Sequence, residues 1–91
     1  MDIHDMIVNE LFETKSFSAL IFLIDCGREL KFKVNGKEHF ISCDRSKKYV
    51  SLWANKNEQS FDSVLELIEN ATIENMCFLT AWKHSELEYL F

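Results

Sequence analysis

The sequence predicts an α+β fold in a single domain over residues 1–91: a three-stranded antiparallel sheet with N- and C-terminal helices packed on one face. Three observations predict it. Apolar residues recur at helical spacing near both ends of the chain, they alternate with polar residues in its middle, and the dipeptide Asn35-Gly36 separates two alternating runs. A chain of 91 residues can build one hydrophobic core but is too short for two.

The first two segments differ in how their apolar residues are spaced. Asp2 provides an N-cap for a helix over residues 2–13, because apolar residues at helical spacing follow it on one face. Residues 16–26 are apolar on nearly every side and end at Gly27, which suits a short buried helix stopped by a glycine. Periodicity leaves a buried strand as the alternative there, and we favour the helix.

The middle of the chain changes to a period of two. Asn35-Gly36 predicts a type I′ hairpin, because that turn needs positive φ at both central residues. A two-residue loop pairs Val34 with Lys37 and Phe32 with His39. It places Leu30, Phe32, His39, Ile41 and Cys43 on one face, and Lys31, Lys33, Glu38 and Phe40 on the other. Residues 49–54 give the third strand and residues 55–58 a turn.

The last third reads as two helices and a tail. Ser63 and Glu66 form a capping-box pattern for a helix over residues 62–70, which ends near Asn70. Its predicted apolar stripe comprises Val64, Leu65, Ile68 and Ala71. A helix over residues 76–84 is predicted through Met76, Leu79 and Trp82, with Asn75 as its cap. Residues 86–91 fit a short strand or a helical continuation.

No combination of residues indicates catalysis, a cofactor or a metal. Cys26, Cys43 and Cys77 are scattered and odd in number, so we expect reduced thiols that fill core space. The histidines and cysteines match no zinc-site spacing, and two isolated glycines cannot form a phosphate-binding loop. We expect His39 at the hairpin rim, partly buried and hydrogen-bonded. The prediction is a protein that is not an enzyme and uses no cofactor.

Charge is segregated along the chain, and its net value is −5. Residues 27–56 hold eight Lys or Arg against three acids, whereas residues 57–91 hold seven acids against Lys83. Solvated faces explain this pattern, but either sign can also steer a partner of opposite charge. The acidic candidates for partner binding are Glu66, Glu69 and Glu74. The candidates on the basic sheet are Lys31, Lys33, Phe40 and Trp53, with Arg45, Lys47 and Lys48 nearby.

Two features of the sequence indicate the cellular location of the protein. The longest apolar run, residues 19–24, is far below the roughly 20 residues that span a bilayer, and the first residues are acidic where a signal peptide is basic. We therefore expect a cytoplasmic protein with no membrane partner.

The tail is rich in apolar side chains. It contains more of them than an unpacked segment exposes, which marks a further contact surface formed by Leu87, Tyr89, Leu90 and Phe91.

Residues 32–41, Trp53 and residues 60–71 together resemble small uncharacterised bacterial proteins from accessory or mobile gene regions. The resemblance implies an α+β fold and no catalytic residues. Proteins of such regions are often inhibitors, such as immunity proteins or phage anti-defence proteins. The functional expectation is therefore a non-enzymatic binding or inhibitor protein that occludes a partner protein, with a basic protein as a candidate partner. A nucleic-acid-binding regulatory module on the basic sheet is the alternative, and a homodimer through the sheet is compatible with either.

Overall fold

A computed structural model describes residues 2–44, 46 and 48–91 of the chain and shows an α+β architecture. The helices are α1 (Ile3–Thr14), α2 (Phe17–Asp25), α3 (Val64–Asn70) and α4 (Phe78–Lys83). The strands are β1 (Leu30–Val34), β2 (Lys37–Asp44), β3 (Tyr49–Ala54), β4 (Asn57–Phe61), β5 (Thr72–Ile73), β6 (Met76–Cys77) and β7 (Ser85–Leu90). No helix in the described part of the chain is long and apolar enough to cross a membrane.

The main sheet has five antiparallel strands in the order β4-β3-β2-β1-β7, so the expected three-stranded sheet was too small. β4 begins at Asn57, inside the segment expected to be a turn, because only Asn55 and Lys56 separate the paired residues Ala54 and Asn57. The tail forms β7 and pairs with β1, so its conformation is a strand and not a helical continuation. A separate small sheet contains β5 and β6.

The β1–β2 hairpin has the predicted register. Val34 pairs with Lys37, and Phe32 pairs with His39. Asn35 and Gly36 have φ values of 53° and 79°, the left-handed region that a type I′ turn requires at both positions. The register places alternate side chains of β1 and β2 on opposite faces of the sheet, as the sequence predicted.

The helices α1, α2 and α3 begin at side-chain caps, whereas α4 has none. The carboxylate of Asp2 accepts a hydrogen bond from the N–H of Asp5 at 2.8 Å, and the hydroxyl of Ser16 accepts one from the N–H of Ala19 at 3.2 Å. The hydroxyl of Ser63 caps α3 in the same way. The segment expected as helix or strand is therefore the helix α2, and Gly27 follows its end with a φ of 91°.

Two helix predictions for the last third of the chain are wrong in detail. On α3, Leu65 is 53% exposed and Leu67 is buried in its place, whereas Val64, Ile68 and Ala71 are buried as predicted. The helix expected over residues 76–84 covers only α4, because Met76 and Cys77 pair with β5. Asn75 is not a helix cap. It lies with Glu74 in the β5–β6 turn, where both residues have positive φ.

The buried side chains of all four helices form one hydrophobic core with side chains from one face of the main sheet, which we call the inner face. Trp82 of α4 lies in this core. Its indole N–H donates to the carbonyl oxygen of Lys15 at 2.9 Å, and its ring contacts Phe78, Phe32 and Phe17 at centroid distances of 5.5 to 6.2 Å. Helices from both ends of the chain therefore lie on one face, as predicted.

The cysteines do not fill the core. Cys26 and Cys77 are exposed and Cys43 is half-buried, and none of the three forms a disulfide. The expectation of buried thiols was wrong because Cys26 caps the end of α2 and Cys77 precedes α4, positions where the backbone turns at the surface. Hydrogen bonding to Thr80 lowers the pKa of the Cys77 thiol, but a lone exposed thiol without a base does not constitute a catalytic pair.

Candidate functional site

The candidate site is the outer face of the main sheet, opposite the helices. Strand pairing aligns one residue from each strand in a row across this face, because residues paired in antiparallel strands project to the same side. The outer row comprises Tyr89, Lys31, Phe40, Trp53 and Glu58, taken from β7 to β4. Lys31, Phe40 and Trp53 were predicted site residues, and the structure brings them together.

Aromatic side chains extend the outer row at one end. Phe91 continues the pairing of β7, since its backbone exchanges hydrogen bonds with that of Glu29. Its ring contacts Phe40 edge-on at a centroid distance of 5.8 Å and Tyr89 at 4.6 Å. Tyr89 and Phe91 are 58% and 55% exposed, while Phe40 and Trp53 are half-buried. Their neighbours on this face are other strand residues, since the helices pack on the inner face.

Serine hydroxyls hold two members of the outer row in place. Ser42, Ser51 and Ser60 are paired across β2, β3 and β4, next to the outer row. The indole N–H of Trp53 donates to the Ser42 hydroxyl at 3.2 Å. The carboxylate of Glu58 accepts from the hydroxyls of Ser51 at 2.6 Å and Ser60 at 3.1 Å. An aromatic ring and a carboxylate therefore lie side by side in fixed orientations.

The outer face is not the basic surface that the sequence predicted. Lys31 pairs with Glu38 at 3.3 Å, and Lys33 pairs with Glu88 at 3.6 Å. Glu58 and Glu86 add further carboxylates from the edge strands. Among the described strand residues of this face, carboxylates therefore outnumber lysines. The charge of residues 27–56 alone indicated a basic face. In the sheet, the acidic strands β4 and β7 flank the basic strands and change the balance. Arg45 and Lys47 lie outside the described residues, and Lys48 is exposed before β3.

A groove of about 670 Å³ opens where β2 begins and β3 ends. Phe40 and Trp53 form part of its wall, with Asn55 and Asn57 from the β3–β4 turn region. Both members of the Lys31–Glu38 pair also line it, as do both members of a second pair, Lys37 and Glu74 at 3.3 Å. The groove therefore joins the outer face to the end of the sheet.

His39 lines this groove and departs from its predicted environment. The side chain is 3% exposed and stacks on Phe32 at a centroid distance of 5.6 Å. Neither ring nitrogen has a hydrogen-bond partner in the described part of the chain, so the expected hydrogen bond is absent. Burial lowers the pKa of His39, while Glu74 raises it and Lys37 lowers it to smaller extents. The ring is therefore neutral at pH 7, and one of its nitrogens can accept a hydrogen bond.

The acidic candidates lie away from the outer face. Glu66 and Glu69 are exposed on α3, which packs against the inner face, and the Glu66 carboxylate accepts from the N–H of Asp62 at 3.2 Å. Glu74 lies in the β5–β6 turn and borders the groove instead. Within residues 2–44, 46 and 48–91, no group of three or more His, Cys, Asp or Glu side chains could hold a metal ion.

Sequence reasoning missed Glu58 as a member of the site, and it marked Tyr89 and Phe91 only as a separate contact surface and not as part of the sheet face. The alternation in residues 86–91 and the apolar character of the tail were the available signals. Neither signal shows which strand the tail pairs with. Comparisons with protein-family models, with curated proteins and with solved structures find no match for this chain.

Proposed function

We propose that this chain is a cytoplasmic, non-enzymatic binding protein of the inhibitor type, which occludes a partner protein with the outer face of its sheet. The observation that carries the proposal is the outer row, in which Phe40 and Trp53 lie between the exposed Tyr89 and the fixed carboxylate of Glu58. Aromatic anchors surrounded by polar groups are the usual composition of energetically dominant interface centres.

The dimensions of the outer face support a protein partner. Five strands about 4.8 Å apart and strands of five or more residues at about 3.3 Å each give a face roughly 20 Å on a side. A face of this size suits the buried centre of an interface of standard area, in which about 800 Å² is buried on each partner. The edges of β4 and β7 provide the polar rim.

Charge supports a partner that is basic at the contact. The lysines of the outer face are already paired with Glu38 and Glu88, and Glu58 and Glu86 remain as additional carboxylates. Complementary charge speeds encounter and suppresses wrong partners. The same balance disfavours the nucleic-acid alternative, because phosphates would meet more carboxylates than lysines on this face. Aromatic platforms serve both kinds of ligand, so nucleic acid is an outcome that the test must distinguish.

The test places a photo-reactive amino acid at Tyr89 on the outer face or at Leu79 on α4, which is also exposed (46%). Each protein is irradiated in lysate of the cells that make it, and the cross-linked partner is identified and purified. Its affinity is then measured for Phe40→Ser with Tyr89→Ser, and for the matched pair Leu65→Ser with Leu79→Ser on the helices. We expect the outer pair to weaken binding at least tenfold and the helix pair less than about twofold.

Three results would overturn the proposal. Loss of the partner in Glu66→Lys with Glu69→Lys, but not in the outer-face pair, would move recognition to the helices. Cross-links at Tyr89 that nuclease abolishes would identify nucleic acid as the ligand. Self-association of the purified protein that the outer-face pair disrupts would make a second copy the occupant, in place of a separate partner.

A further inference from the structure

The groove beside Trp53 presents more remaining hydrogen-bond acceptor sites than remaining donors to a ligand. Its lysines, Lys31 and Lys37, already donate to Glu38 and Glu74. A carboxylate has about four acceptor sites, so each glutamate can accept further donors. The groove therefore favours a ligand rich in donors.

The aromatic wall adds a second preference. Phe40 and Trp53 border the groove, and the bond to Ser42 fixes the Trp53 ring. The negatively polarised face of an aromatic ring attracts cations, and tryptophan is the strongest such ring. A guanidinium group is planar, stacks on aromatic rings and carries five donors in a fixed fork, whereas an ammonium group is a compact, strongly hydrated charge.

We propose, on the basis of the proposed function, that the groove receives an arginine side chain of the partner protein. The guanidinium stacks against Trp53 and Phe40 and replaces Lys37 as the donor to Glu74. Displacing Lys37 costs little, because its pair with Glu74 is exposed to solvent on the lysine side and such pairs contribute little stability.

The test uses N-acetyl-arginine amide as the probe in an NMR titration of the labelled protein. A fragment of this size binds in the millimolar range. We expect saturable shifts at the Trp53 indole N–H, the His39 ring and the amides of Asn55 and Glu74. N-acetyl-citrulline amide, which has nearly the same shape without the charge, should cause none. N-acetyl-lysine amide should bind several-fold more weakly.

Two conservative variants locate the site. Glu74→Gln should weaken arginine binding roughly fivefold or more, since a charge-assisted hydrogen bond is lost. Glu69→Gln on α3, which removes the same charge away from the groove, should leave binding unchanged. Equal shifts with citrulline, equal effects of the two variants, or no saturable shift at groove residues would overturn the inference. If the arginine probe fails while the Phe40 and Tyr89 variants still lose the partner, only this inference falls and the proposed function stands.

Discussion

The two faces of the main sheet are built from the same strands, yet they have opposite character. The inner side chains Leu30, Phe32, Val34, His39 and Ile41 of β1 and β2 are buried, whereas the outer side chains Lys31, Lys33, Glu38 and Phe40 remain at least partly exposed and are charged or aromatic. A strand projects successive side chains to opposite sides, so one helical layer can cover only half of them. The inner face therefore holds the fold together, and the outer face is left for binding.

The largest expected effect comes from one pair of phenylalanines on neighbouring strands. Phe32 is fully buried on the inner face, and Phe40 is half-buried on the outer face. Phe32→Ala should lower the free energy of unfolding by about 3 to 5 kcal/mol, because it removes buried surface and leaves a cavity. Phe40→Ala should lower it by about 1 kcal/mol or less. Urea denaturation measures both, and equal losses would contradict the division between the faces.

The second-largest expected effect is a loss of stability when the turn that sets the β1–β2 register is altered. Gly36→Val should lower the free energy of unfolding by about 1 kcal/mol or more, because a β-branched residue is forced to positive φ. A Cβ atom at this position would meet no other atom within 4 Å, so the cost is one of backbone conformation. Gly36→Asn, which tolerates this region, is the control and should lose less. An unchanged denaturation midpoint in Gly36→Val would refute the turn assignment.

His39 is a buried polar side chain on the inner face whose ring nitrogens have no hydrogen-bond partner among the described residues. His39→Leu should raise the free energy of unfolding by about 1 kcal/mol, because it removes a buried ring with no hydrogen-bond partner among the described residues. Burial lowers the pKa of His39 from 6.5, so the unfolded chain binds a proton that the folded chain resists. Stability of the original protein should therefore fall as the pH drops below about 6.5.

The control for the pH effect is the exposed His84. Denaturation at pH 7.5 and at pH 5.5 should show a smaller loss in His39→Leu than in the original protein, whereas His84→Gln should retain the full loss. The same loss in His39→Leu would mean that other groups cause the pH dependence.

The smallest expected effect is a difference in fluorescence quenching between the two tryptophans, which lie on opposite sides of the sheet. Trp82→Phe leaves the outer-face Trp53 as the sole indole, and Trp53→Phe leaves the buried Trp82. Acrylamide should quench Trp53 several-fold more strongly than Trp82, because the second ring is shielded by the core. Equal quenching at low protein concentration would contradict the placement of the two rings.

Some of the candidate site could be predicted because its positions follow from local chemistry. Asn35-Gly36 specifies a two-residue turn, the turn specifies the β1–β2 register, and the register places Phe40 with Lys31 on one face. The Ser63 cap likewise fixed where α3 begins. Glu58 was not predicted, since it lies in a segment interpreted as a turn, and the place of Tyr89 beside Lys31 was not predicted, since β7 joins β1 from a distant part of the sequence.

The sequence by itself determined the α+β class, the hairpin and the capped starts of α1 and α3, because turns, caps and periodicity act between residues close along the chain. Only the tertiary structure decided the size of the sheet, which leucines are buried and the sign of charge on the outer face. Leu65 and Leu67 fit a helix equally well, and packing against the core selected Leu67. The acidic edge strands reversed the balance of a basic hairpin, since charge on a surface depends on which strands become neighbours.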